Sequence, residues 1–125
     1  MLEHINLTTK NPDSVVKFIT AVLPNFKVLR TFQFETGVTS VHVGNENQYL
    51  AIQSEVRPNT QNRIPYSQSG VNHIGFRVDN IEEIKSKALA IGAKVEQYVE
   101  DGDERKRLYL IDETGFEYEF VEYLK

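Results

Sequence analysis

Along residues 2–9, LEHINLTT, side chains alternate in a strand pattern, with Leu2, His4, Asn6 and Thr8 on one face and Glu3, Ile5, Leu7 and Thr9 on the other. Next comes Asn11-Pro12-Asp13-Ser14. Asn11 can accept from the free N–H groups of a first helical turn, and Pro12 fits the position after that cap. Val15, Val16, Phe18, Ile19, Val22 and Leu23 then recur at helical spacing until Pro24 stops the helix. Strand-like runs occupy 26–34, 38–43 and 48–53, with turns at Glu35-Thr36-Gly37 and Gly44-Asn45-Glu46-Asn47. Residues 55–70 are polar, contain Pro58, Asn59, Asn62 and Pro65, and read as a connecting loop longer than most inside a compact domain.

After that loop the pattern restarts. Residues 71–78, VNHIGFRV, alternate again; Asp79 or Asn80 can cap a helix holding Ile81, Ile84, Ala88, Leu89 and Ile91, and Gly92 closes it. Strands are expected at 94–99, 108–111 and 116–123, the last after a turn at Glu113-Thr114-Gly115. Each half reads strand, helix, strand, strand, strand. The expected fold is therefore α+β, with two βαβββ modules at about 1–57 and 71–125 and a linker at about 58–70.

Aligning the halves brings chemistry into register. His4 falls on His73, 69 residues on, and each is followed by isoleucine. Ile5, Leu7, Ile74 and Phe76 have the parity to pack under the helices, which turns both histidines to the opposite face. In the last strands, Leu50 and Ile52 alternate like Tyr118 and Phe120, which places Ala51 at the position of Glu119. The repeat thus supplies His4, His73 and Glu119 at three of four equivalent positions, with alanine at the fourth. Two imidazoles and a carboxylate suit a divalent metal such as Zn, Ni, Mn, Fe or Co, and three protein ligands leave positions open for water or substrate.

Asn6, Tyr49 and Tyr109 share that face and are candidates for substrate contact. Arg77 has the parity of His73 and can bind an anionic substrate or pair with a neighbouring acid. Gln53 could contribute to the site if the register slipped. Glu117 shares the parity of Glu119 and is the spare carboxylate; otherwise it reads, with Glu122, as a solvated strand residue. By the same repeat His42 takes the parity of Leu110 and points away from the metal face.

Composition narrows the function classes. A chain of 125 residues, 40% of them hydrophobic, suits one soluble domain. A net charge of −4 speaks against a nucleic-acid surface. The one dense basic run, Arg105-Lys106-Arg107, sits beside four acids and reads as a solvated turn. The absence of cysteine excludes disulfides, thiolate metal sites and a cysteine nucleophile. No apolar stretch approaches the ~20 residues of a membrane helix, and no signal peptide is legible. The expectation is a cytoplasmic protein with a small-molecule substrate and neither nucleic-acid nor membrane partners.

The runs GVNHIGFRVDNIEEIKSKALAIGAKV and YLIDETGFEYEF, and more weakly EHINLTTKNPDSVVKFITAVLP, resemble the vicinal-oxygen-chelate superfamily of glyoxalases, bleomycin-resistance proteins and dioxygenases. The resemblance covers almost the whole chain. It implies a curved mixed sheet around a central cavity, a homodimer, and a divalent metal on His4, His73 and Glu119. Glu119 and Tyr109 are its implied catalytic residues, Tyr109 standing where a family tyrosine can face the site. Four-ligand members such as glyoxalase I carry a glutamate where this chain has Ala51, so the remaining set resembles fosfomycin-resistance transferases and extradiol dioxygenases. EDGDERKR lacks the serine-bearing, cation-binding loop of the former, and no histidine is placed as the base of the latter. The reaction stays open among isomerase, lyase, thiol transferase and dioxygenase. The alternative is a metal-free drug- or metabolite-sequestering protein of the bleomycin-resistance type.

Overall fold

A computed structural model describes residues 1–57 and 61–124; Pro58 and Asn59 of the expected linker, with Thr60 and Lys125, lie outside the described residues. The chain divides into two units, Met1–Gln61 and Asn62–Lys125. The first runs β1 (His4–Thr9), α1 (Pro12–Val22), β2 (Lys27–Gln33), β3 (Thr39–Gly44) and β4 (Tyr49–Ser54). Its sheet has the order β1-β4-β3-β2, with β1 parallel to β4 and the other pairs antiparallel. The second runs β5 (His73–Arg77), α2 (Ile81–Ala90), β6 (Lys94–Asp101), β7 (Arg105–Ile111) and β8 (Glu117–Tyr123), in the equivalent order β5-β8-β7-β6. Each unit is thus the βαβββ module that the hydrophobic pattern predicts. No helix among the described residues is long and apolar enough to cross a membrane.

Local chemistry sets the helix ends. Asn11 Oδ1 accepts from Ser14 N at 3.1 Å and Pro12 opens α1, so one of the free first-turn N–H groups is satisfied and proline's missing N–H costs nothing. Asn80, rather than Asp79, caps α2 through Glu83 N at 3.1 Å. Gly92 follows with φ +83°, the left-handed backbone expected of a helix stop. Glu122, expected to be solvated, accepts from Ile81 N at 3.0 Å and serves the same helix start.

The helix-covered face of each sheet is apolar. Leu7, Val41, Val43, Leu50 and Ile52 are buried in the first unit with Val15, Phe18, Ile19 and Val22 of α1. In the second, Ile74, Leu108, Leu110, Tyr118 and Phe120 are buried with Ile81, Ile84 and Ala88 of α2. Burial of each larger side chain contributes about 1.5–3 kcal/mol. The opposite face is left for polar chemistry, and His4 and His73 both lie on it.

Two expectations need correction. Arg105-Lys106-Arg107 is not a turn: β7 begins at Arg105, and the turn is confined to 102–104, where Gly102 takes φ +55°. The arginines tolerate strand conformation because Asp101, at the end of β6, pairs with both, at 2.8 Å to Arg105 Nε and 2.7 Å to Arg107 Nε. His42 does not point away from the histidine face. The β3–β4 connection, 45–48, is one residue shorter than the β7–β8 connection, 112–116. A one-residue difference reverses strand parity. His42 therefore pairs with Ala51 as Tyr109 pairs with Glu119, and its counterpart is Tyr109 rather than Leu110.

Candidate functional site

The two parallel strand pairs place the repeat positions in equivalent registers. His4 lies opposite Tyr49 and Asn6 opposite Ala51; His73 lies opposite Glu117 and Gly75 opposite Glu119. The alignment of His4 with His73 and Ala51 with Glu119 is therefore also an alignment of hydrogen-bonded partners.

In the first unit the face is aromatic. Tyr49 is sandwiched between two imidazoles, stacked on His4 at 4.7 Å and on His42 at 4.6 Å between ring centroids. Phe32 meets His42 edge-on at 5.1 Å. Burial, then the charges of Arg30 and His4, lowers the pKa of His42. His4 Nδ1 lies 2.8 Å from Glu3 Oε1, while its Nε2 makes no hydrogen bond among the described residues. Asn6 Nδ2 donates to Gln53 Oε1 at 3.2 Å, which engages both of those expected site residues with each other.

In the second unit the same face carries a continuous polar chain. Asp101 takes two bonds from Arg107, 2.7 Å at Nε and 3.1 Å at Nη2. Arg107 Nη1 donates to Tyr109 Oη at 2.9 Å, and the Tyr109 hydroxyl donates to Glu119 Oε1 at 2.9 Å. Glu119 Oε2 then faces His73 Nε2 at 3.0 Å, and His73 Nδ1 faces Glu117 Oε1 at 3.1 Å. Glu117, expected to be solvated, is only 4% exposed. Tyr66 also donates to Glu117 Oε1, at 2.6 Å, and its oxygen lies 3.0 Å from His73 Nδ1. Gly75 leaves room beside Glu119, since even a Cβ there would only reach ordinary contact at 3.7 Å from Oε2.

This network shifts several protonation equilibria. Burial alone would raise the Glu117 carboxyl, but hydrogen bonds from Glu96, Tyr66 and His73 outweigh it and hold the group below its usual range. Glu96 is raised, first by its hydrogen bond to Glu117 and then by burial. The bond to Glu117, followed by burial, pushes Tyr66 up to about 12. Burial and the bond to Glu119 raise Tyr109, so its hydroxyl stays a donor at neutral pH.

Among the expected residues, the second unit brings His73, Glu119 and Tyr109 together. The Arg77 guanidinium lies 5.0 Å from the centre of the Tyr123 ring. The residues missed by the pattern are Tyr66, Glu96 and Arg107, together with the buried role of Glu117. Glu117 had a signal in its parity with Glu119. Glu96 occupies the irregularity between Val95 and Gln97 on β6, where alternation gives no guide. Tyr66 lies in a loop with no periodicity at all.

Within neither unit do three His, Cys, Asp or Glu side chains form a metal-holding group among the described residues. The pair His73–Glu119 nevertheless fits part of one. With Nδ1–H directed at Tyr66 Oη and Glu117 Oε1, a neutral His73 presents a lone pair at Nε2 towards a carboxylate oxygen. Two lone pairs 3.0 Å apart require a cation, either a proton or a metal ion. Imidazole and carboxylate atoms each ~2.1 Å from one ion also lie about 3 Å apart.

Two mixed βαβββ sheets, each with its polar face opposite its helix, define the fold of a glyoxalase-type protein. The chain belongs to the Glyoxalase/Bleomycin resistance protein/Dioxygenase superfamily, the vicinal-oxygen-chelate family, whose model matches residues 1–120. A glyoxalase family protein from Bacillus cereus is similar in structure, with TM-score 0.82 and 15% identity over 99% of this chain and 94% of that one. A glyoxalase family protein from Enterococcus faecalis has TM-score 0.76 and 23% identity over 98% and 97%. The fosfomycin resistance protein FosX from Listeria monocytogenes, complexed with Mn(II) and sulfate, has TM-score 0.71 and 16% identity over 98% and 91%. No match among curated proteins was found.

Proposed function

We propose that this chain is a metal-dependent enzyme of its family, acting on a small molecule with adjacent oxygens, with His4, His73 and Glu119 as ligands of a divalent ion. The observation that carries the reading is the commitment of the two imidazoles. Each offers Nδ1 to a carboxylate, Glu3 at 2.8 Å for His4 and Glu117 at 3.1 Å for His73. Outer-shell carboxylates of this kind fix the tautomer that leaves Nε2 for a metal. The Mn(II) bound by a structurally similar FosX is consistent with an oxygen- and nitrogen-liganded ion.

Bound there, a divalent ion would polarise a carbonyl, enolate or phosphonate oxygen of the substrate. The chain's own residues have separate tasks. Tyr109, braced by Arg107, holds Glu119 Oε1 so that Oε2 is directed at His73. Asn6, Tyr49 and Arg77 supply an amide, the edge and hydroxyl of a stacked tyrosine, and a positive charge for the substrate. The reaction belongs to the isomerase, lyase, thiol-transfer or dioxygenase types, and a homodimer is the expected assembly.

Metal analysis of the purified protein should find about one divalent ion per chain, lost from a His73→Ala variant. A variant that keeps its full metal would overturn the assignment. The run Phe32–His42–Tyr49–His4 favours a second reading, a metal-free binder of aromatic compounds. Thermal stabilisation by an aromatic ligand, with none by any divalent ion, would select it.

A further inference from the structure

We infer that Tyr66 and Glu117 form a clamp that orients His73, so that Tyr66, on the loop ahead of β5, is a positioning residue of the site. The inference deepens the metal-site reading and rests on it for its metal arm. The geometry is local to the second unit. Glu117 Oε1 is the common acceptor: Tyr66 Oη donates to it at 2.6 Å and His73 Nδ1 lies 3.1 Å away. The Tyr66 oxygen is itself 3.0 Å from Nδ1, so the three groups form a closed triangle. Glu117 is 4% exposed, and a buried carboxylate without its donors would be costly.

The backbone shows that the tyrosine is held there against its own preference. Tyr66 has φ +69° and is the one non-glycine residue with positive φ among the described residues. Such a conformation is strained for a residue with a Cβ and persists only where the surroundings over-determine it. Here they do. Tyr66 N donates to Asn72 Oδ1 at 2.7 Å, and Asn72 immediately precedes His73. Arg63 Nη2 donates to Val71 O at 2.6 Å and its guanidinium lies 4.8 Å from the centre of the Phe116 ring. Asn62 Nδ2 donates to Glu113 O at 3.0 Å. The loop is tied to the β7–β8 connection at one end and to the start of β5 at the other. Its tethers are spent on a residue that is 62% exposed and packs little, which leaves the hydroxyl as what they secure.

The test uses the full chain in two arms, with wild type, Tyr66→Phe, Glu117→Leu and Glu117→Gln. In the first, imidazole nitrogen NMR on metal-free protein reads the protonation of His73 Nδ1, with His4 as internal control. Wild type should show a protonated, pyrrole-like Nδ1. Glu117→Leu should lose that signature, Tyr66→Phe should weaken it, and Glu117→Gln, which retains an acceptor oxygen, should keep most of it. His4 should be unchanged throughout. In the second arm, titration with Mn(II) and Zn(II) should show affinity ~10–100-fold lower in Glu117→Leu and less reduced in Tyr66→Phe.

Tyr66→Phe is the variant expected to keep its fold, as thermal melting can verify. If its His73 signature and metal affinity both equal those of wild type, the tyrosine's part is overturned; the same result for a folded Glu117→Leu overturns the clamp. Should wild type bind neither ion while the NMR arm behaves as described, the orienting clamp stands and the metal reading fails.

Discussion

The two sheets share a topology and a register but not a chemistry. Beside His4 the neighbouring strand offers Tyr49, then Ala51; beside His73 it offers Glu117, then Glu119. On the third strand, His42 stands where the second unit has Tyr109. Each histidine meets a carboxylate at Nδ1, but Glu3 beside His4 is exposed and that ring is otherwise held by stacking, whereas His73 lies within a chain of ionisable groups. Stacking fixes a ring plane, whereas the buried Glu117 carboxylate and the Glu119 carboxylate bracket both ring nitrogens of His73. The repeat has kept the scaffold and divided the electrostatic work unequally.

The largest expected effect lies in the turns that set this difference. Asp112 Oδ1 accepts from Thr114 N, Thr114 Oγ1 and Phe116 N at 2.8, 2.7 and 3.0 Å, and Oδ2 accepts from the buried Tyr118 hydroxyl at 3.0 Å. Asn45 Oδ1 in the first unit accepts from Asn47 N and Gln48 N, at 2.9 and 3.2 Å, in an exposed turn. Asp112→Ala should lower unfolding free energy by ~3 kcal/mol, because several groups, one of them deeply buried, lose their partner. Asn45→Ala should cost ~1 kcal/mol. Urea denaturation of both variants measures the contrast, and equal losses would mean that the longer turn is not anchored by its aspartate.

A smaller effect follows from converting one face into the other. Ala51 is 4% exposed, so Ala51→Glu buries a carboxylate and should cost about 1–3 kcal/mol. Adding His42→Tyr re-creates the Tyr109–Glu119 arrangement and gives that carboxylate a hydroxyl donor. The double variant should recover ~1 kcal/mol relative to the sum of the single changes. A coupling of zero would show that the shared register does not carry side-chain geometry from one unit to the other.

These contrasts also mark what the sequence could disclose. Alternation, the Asn11 cap and Gly92 made the elements legible, because each depends on neighbours in the chain. The alignment of His4 with His73 and of Ala51 with Glu119 was legible because both parallel pairs keep one register. His42 was misplaced since parity was carried across a connection one residue shorter than its counterpart. Arg105 and Arg107 looked solvated because their partner, Asp101, meets them only across the hairpin. Glu117 looked solvated because its donors come from a bulge and from an irregular loop, neither of which has a period.

His42 gives the smallest effect and the sharpest contrast with Tyr109. Its pKa is lowered by burial, then by Arg30 on β2 and His4 on β1, while Tyr49 on β4 stacks against the ring. In the unfolded chain an imidazole titrates at ~6.5. As pH falls, the unfolded chain takes up this proton before the folded one does. His42 therefore contributes its full stability above pH ~6.5 and loses it progressively from there down towards the lower folded value. His42→Phe keeps an aromatic ring against Tyr49 and removes the titration. In metal-free protein, its stability should decline less than that of wild type between neutral pH and the mildly acidic range. Tyr109→Phe should leave that part of the profile unchanged in shape, since its hydroxyl is protonated throughout. If urea midpoints for wild type and His42→Phe run parallel across this window, the first unit's imidazole is not held neutral by its surroundings, and the electrostatic contrast between the two faces is smaller than the geometry indicates.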